Sequence, residues 1–197
     1  MIQANDCLSR SVKASYHCDY VGYQKPGNPD YINHLKNQFG NSSSLELRQA
    51  SDALRTVLHN DWHEQFSKLQ EKVTVCVIPR AKAEASYSSN QLLFKNTIKD
   101  FISGYDMLED GTGYITRIRN TRTTHMKNYD TDGEMPYKGI TKETCDISQE
   151  VAGKKILLID DIYTKTVNID EDAIQALYDN GAREVIFYSV GRTISRY

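Results

Sequence analysis

Unbroken apolar runs alternate along this chain with stretches in which apolar residues recur every three or four positions. Val73-Thr74-Val75-Cys76-Val77-Ile78 is apolar or β-branched throughout and stops at Pro79. Such a run predicts a strand covered on both faces, as in a parallel sheet. Lys155-Ile156-Leu157-Leu158-Ile159-Asp160-Asp161 reads the same way, and residues 184–190 predict a further strand. Between these last two, Ile169, Ala173, Ala176 and Leu177 share one face of a helix over 169–178, which Asn180-Gly181 terminates. Strand, helix and strand in this order make a βαβ crossover, which implies an α/β, Rossmann-like three-layer domain around a central parallel sheet.

The remaining elements follow from weaker patterns. Residues 16–21 predict a strand, and Gly22, Pro26, Gly27, Asn28 and Pro29 mark turns after it. Asp30 is the expected cap of a short helix through Phe39, stopped by Gly40. Leu45, Leu47, Ala50, Ala53, Leu54, Val57 and Leu58 predict a longer helix. Trp62, Phe66 and Leu69 continue its apolar face after an expected break near Asn60. Trp62 reads as core, not as a platform for a ligand. A basic loop, Pro79-Arg80-Ala81-Lys82-Ala83-Glu84, leads into a helix over 90–102, and residues 113–118 predict another strand. Residues 119–150 are poor in aliphatics and read as a long flexible loop, a length usually reserved for function. The whole, 1–197, reads as one domain, with 1–70 contributing a small hood and flanking helices.

Composition narrows the classes. Twenty-four basic and 26 acidic side chains give a formal charge of −2, which provides no global field for general nucleic-acid binding. No run approaches the ~20 apolar residues of a membrane span, and the first fifteen residues lack a secretory apolar core. A cytoplasmic protein with no membrane association is therefore expected. Cys7, Cys18, Cys76 and Cys145 are far apart and include no C-x-x-C, so reduced thiols are expected in place of a zinc site. The 13 tyrosines suit an interface, and a homodimer is expected.

The chemistry concentrates at the end of the strand over 155–160. In open α/β sheets ligands sit beyond the carboxyl ends of the strands, where Asp160 and Asp161 fall. Adjacent carboxylates repel unless a cation or vicinal hydroxyls share them. Two readings stand: a ribose diol with Mg²⁺ nearby on a diphosphate, or a pair of strand-terminal aspartates in solvent. Thr164-Lys165-Thr166-Val167-Asn168 runs directly into the helix over 169–178. Free N–H groups and the helix dipole suit a phosphate there, with Thr164, Thr166 and Asn168 as further donors and Lys165 as a charge. Simple capping by Asn168 or Thr166 is the alternative. There is neither a Walker A pattern nor G-x-G-x-x-G.

The segment KKILLIDDIYTKTVNIDEDAIQALYDNGAREVIFYSVGRT resembles the signature of the type I phosphoribosyltransferases, in the flavour of the branch related to competence protein ComF. That signature is four apolar residues, two acids, two apolar residues and a Thr-Thr-Gly-x-Thr turn. Weaker likenesses extend over most of the chain. Val75 to Pro79 with Arg80, Ala81 and Lys82 is similar to the family's first strand and diphosphate loop. Tyr20-Val21-Gly22-Tyr23 and Ile32-Asn33-His34-Leu35-Lys36 resemble the segment upstream of it, and residues 116–125 the start of the flexible loop. The resemblance implies that Asp160 and Asp161 hold the ribose hydroxyls of phosphoribosyl diphosphate or a related phosphosugar or nucleotide. It also implies that Thr164, Lys165, Thr166, Val167 and Asn168 wrap the 5′-phosphate. Three positions depart from the family turn: Lys165 replaces the second threonine, Thr166 the glycine and Asn168 the closing threonine. A β-branched residue resists the positive φ that glycine accepts.

Ribose 5-phosphate transfer to a nitrogenous base or amine, with loss of diphosphate, needs no covalent nucleophile. It needs a held sugar, cationic charge on the leaving group and exclusion of water. Arg80 and Lys82 are the candidates for the leaving group, Mg²⁺ assisting through the diphosphate and Asp160. Arg119 and Arg122 are candidates on a closing loop, Arg117 reads as structural, and His125 is a weaker candidate proton carrier. The rival reading is a regulatory module that binds a phosphoribosyl ligand or nucleotide without turnover.

Overall fold

The computed structural model describes residues 1–66, 70–121 and 139–194. The elements in chain order are β1 (Ala14–Tyr20), α1 (Tyr31–Lys36), α2 (Ser44–Asp61), β2 (Val73–Val77), α3 (Leu93–Ile102), β3 (Leu108–Asp110), β4 (Ile115–Arg117), β5 (Cys145–Ile147), β6 (Lys155–Tyr163), α4 (Ile169–Asp179) and β7 (Glu184–Thr193). Five strands form one sheet in the order β1-β7-β6-β2-β3, and every pairing in it is parallel. Val77 lies opposite Ile159, and Ile159 opposite Tyr188.

Alternation along the strands explains the layers. Val73, Val75, Val77, Leu157, Ile159, Ile186, Tyr188 and Val190 pack under α1, α2 and α3. Cys76, Ile78, Ile156, Leu158, Val185 and Phe187 pack on the opposite side against α4, the β4–β5 pair and the N-terminal segment. Both faces are buried, so the strands read as unbroken apolar runs in the sequence. This is an α/β molecule with a central five-stranded parallel sheet flanked by helices.

Several expectations change. The strand over residues 16–21 is β1, an edge strand of the main sheet, so the N-terminal third supplies more than flanking helices. Residues 113–118 contribute β4, which does not join that sheet; it pairs antiparallel with β5, inside the stretch read as a loop. The expected break near Asn60 is absent: α2 continues into a π-helical turn over Trp62–Phe66. Leu54, Leu58, Trp62 and Phe66 are spaced by four, more than the 3.6 residues of an α-turn, and the wider turn keeps the last two buried. Asp30 makes no side-chain cap, its carboxylate instead accepting from Gln24, Asn28 and Asn33. Asn37, left-handed at φ 39, closes α1 before Gly40. Ser43 and Glu46 form a capping box at the start of α2. No helix among the described residues is long and apolar enough to cross a membrane.

Candidate functional site

After β2 the chain enters α3 on one face of the sheet; after β6 it enters α4 on the other. The carboxyl ends of β2 and β6 therefore border a switch point, where the diverging loops leave a crevice. The cleft there is lined by Val77 to Arg80 and Lys82 from the β2 side, Asp160 and Asp161 from β6, and Leu35 and Lys36 from α1, with an open volume of about 600 Å³.

The two acids face different partners. Asp161 Oδ1 lies 2.9 Å from Nζ of Lys36, the last residue of α1. Asp160 lies beside Asp170, in the first turn of α4. Burial and then the neighbouring Asp161 push the Asp160 carboxyl up to about 7. Burial and Asp160 push Asp170 well above the usual carboxylate range. Lys36 is held above its usual value: burial acts to lower it, but Asp161 and Asp160 outweigh that. Beside them Tyr163 donates from its hydroxyl to Glu171 Oε1 at 2.9 Å. One oxygen of each of Asp170 and Glu171 is buried without a partner.

The turn from Thr164 to Asn168 closes with the Val167 N–H donating to Thr164 O at 3.0 Å. Thr164 Oγ1 is 2.8 Å from Thr193 Oγ1, tying the turn to the end of β7. Its positive φ is at Asn168 (φ 59), while Thr166 stays on the ordinary side. Asn168 makes no side-chain cap to α4, and its Oδ1 accepts from Asn5 Nδ2 instead. Lys165 and Thr166 are exposed. Asp170, Glu171 and Asp172 occupy the first turn of α4, so the helix N-terminus already carries acidic groups.

The cations are distributed unevenly. Arg80 borders the cleft, but its Nη1 donates to the carbonyls of Lys36 and Gln91 and its Nη2 to Gln38 Oε1, each at 2.5 Å. Its guanidinium also lies over the Tyr87 ring. Lys82 borders the cleft, with its amide donating to Tyr87 Oη. Arg117 is buried and donates to Arg80 O and Gly139 O, fastening β4 to the β2 loop. Arg119 has an exposed side chain and its N–H meets Thr144 O. Arg122 and His125 lie outside the described residues.

Sequence reasoning passed over Lys36 and Asp170 as site residues. Both signals were present. Lys36 stands one turn after Ile32 on the buried stripe of α1, and Asp170 precedes Ala173, Ile174 and Leu177 on that of α4. A charge on an apolar stripe needs a partner. Among the described residues no group of three or more His, Cys, Asp or Glu is arranged to hold a metal ion. Comparison with protein-family models, curated proteins and solved structures returns no match.

Proposed function

We propose that this chain is a phosphoribosyltransferase, moving ribose 5-phosphate from phosphoribosyl diphosphate to a nitrogen nucleophile with release of diphosphate. One observation carries the reading: an acidic pair in β6, just past its last residue paired with β2, borders the switch-point crevice, and two residues later the strand gives way to a turn into the start of a helix. In that reading Asp160 and Asp161 accept from the ribose hydroxyls, and the N–H groups of the turn receive the 5′-phosphate. Thr166 keeps φ < 0 in this turn, so the missing glycine is no steric bar. The loop at Pro79–Lys82 faces the same crevice and suits the departing diphosphate, with Lys82 as its charge and Arg80 as the brace of the loop.

Mg²⁺ fits this donor set as a diphosphate-borne ion, because it keeps waters and phosphate oxygens and needs only one or two carboxylates. Asp160 and Asp161 would hold it, and it would neutralise charge on the leaving group. The protein's own part is to fix the sugar and exclude water, so that charge developing at C1 meets oriented carboxylates.

A second reading is a phosphoribosyl-binding module without turnover; the acids in the first turn of α4, which oppose a dianion at that terminus, weigh equally on both. Calorimetric titration with phosphoribosyl diphosphate and Mg²⁺ tests both. The wild type should bind, and Asp160→Asn with Asp161→Asn should weaken binding more than tenfold, over ~1.4 kcal/mol. Unchanged binding in that variant rejects the site. Diphosphate release in the presence of a panel of bases separates the enzyme from the module.

A further inference from the structure

Lys36 occupies a junction. Its side chain is 27% exposed and that of Asp161 16%. Its backbone is fixed, because its carbonyl accepts from Arg80, which also grips Gln91 and Gln38. Asn37, in left-handed conformation, ends the helix at once, and its side chain accepts from the Ser42 N–H. Lys36 borders the cleft of Asp160 and Asp161 and also a second chamber, lined by Tyr20, Tyr23 and Phe39 with the amides of Asn33 and Asn37. Lys36 thus stands between two cavities on a clamped main chain. Only side-chain torsions have to change for it to move.

Two facts ask for such a movement. Lys36 already occupies Oδ1 of Asp161 in the free protein, so a ligand that donates to both oxygens of that carboxylate has to displace the ammonium from the first. Arg80, another of the cations lining this cleft beside Lys82, holds main-chain carbonyls and a side-chain amide. A flexible ammonium with three donors can change partners, whereas a guanidinium fork would lock onto the carboxylate.

The geometry points to Lys36 as an exchangeable counter-ion that sits on Asp161 in the free protein and passes to a diphosphate oxygen when ribose hydroxyls take its place. This rests on the transferase or phosphoribosyl-binding reading above and adds a residue that discriminates ligands by their diphosphate. In the free state the ammonium offsets part of the repulsion between the adjacent acids. In the bound state it offsets charge on the leaving group, and its withdrawal opens Asp161 to the sugar.

The test is a pair of titrations, with phosphoribosyl diphosphate and with ribose 5-phosphate, both with Mg²⁺. Lys36→Met should bind phosphoribosyl diphosphate at least tenfold more weakly, yet bind ribose 5-phosphate as well as the wild type or better, because the competitor for Asp161 is gone. Lys36→Arg, which keeps the charge, should weaken both ligands by holding Asp161. If Lys36→Met is poorly folded by circular dichroism, Lys36→Gln carries the same expectation. An equal loss for the two ligands in Lys36→Met or Lys36→Gln would mean that Lys36 only supports the wall, and no loss for either would remove it from the site. Wild-type protein that binds neither ligand overturns the phosphoribosyl reading itself, and this inference with it.

Discussion

At Asp160, stability and chemistry make opposite demands on one carboxyl. Burial beside Asp161 pushes it up to about 7, whereas the role proposed for it, accepting from a sugar hydroxyl, calls for the anion. Its unfolded-state value is about 3.9. Between pH ~4 and ~7 the folded protein therefore keeps a proton that the unfolded chain has released. The resulting stabilisation is complete below pH ~4 and is lost as pH rises toward 7. Asp160→Asn should remove this loss, making the variant more stable than wild type at pH 8 by on the order of 1–3 kcal/mol and raising its Tm, with the gap closing toward pH 4.5. Thermal unfolding at the two pH values measures it, and a variant less stable than wild type at pH 8 contradicts the account. A second buried acid behaves differently. Asp61, at the end of α2, accepts from Tyr188 Oη at 2.6 Å and pairs with His17 Nδ1 at 3.1 Å. Tyr188→Phe leaves that carboxylate short of a donor, and urea denaturation should register a cost of about 1–3 kcal/mol.

Among the elements, the turn ahead of α4 has its one left-handed residue at Asn168, two positions beyond the glycine of the family turn. Asparagine tolerates that conformation better than a β-branched residue does. Asn168→Gly should be nearly neutral for folding and Asn168→Val should cost roughly 1–2 kcal/mol. Thr166→Gly should change phosphoribosyl diphosphate affinity only modestly, because Thr166 is not strained. A glycine variant that creates binding where the wild type has none would refute this. The same scale explains what was legible in the sequence. β2, β6 and β7 stand out because burial on both faces makes them solid apolar runs. α2 and α4 stand out because one face is buried. β3 and β5 are three residues each, too short for an alternation to register. Of the site, the acids of β6 and the turn were visible in the motif. That Lys36 and Asp170 needed partners was also visible, but not that these acids are the partners, because both residues reach them from elements whose placement depends on the sheet order.

For the whole molecule, the sheet order itself has a consequence for how the chain acquires its structure. β7, the last strand in sequence, lies between β1, the first, and β6; Ala14 pairs with Phe187 and Tyr20 with Thr193. During synthesis the growing chain can assemble β2, β3 and β6 with their helices, but β1 has no neighbour in the sheet until β7 has emerged from the ribosome. The pairing with the greatest sequence separation forms last, and closing so large a loop is slow. Pulse-labelling hydrogen exchange during refolding should find the amides of β1 gaining protection together with those of β7 and later than those of β2. Chains arrested on the ribosome before Glu184 should leave β1 open to protease while β2 is already shielded. Until β7 arrives, the nascent protein exposes the whole edge of β6 and a loose β1 able to pair with it, so its most aggregation-prone interval lies between the emergence of β6 and that of β7.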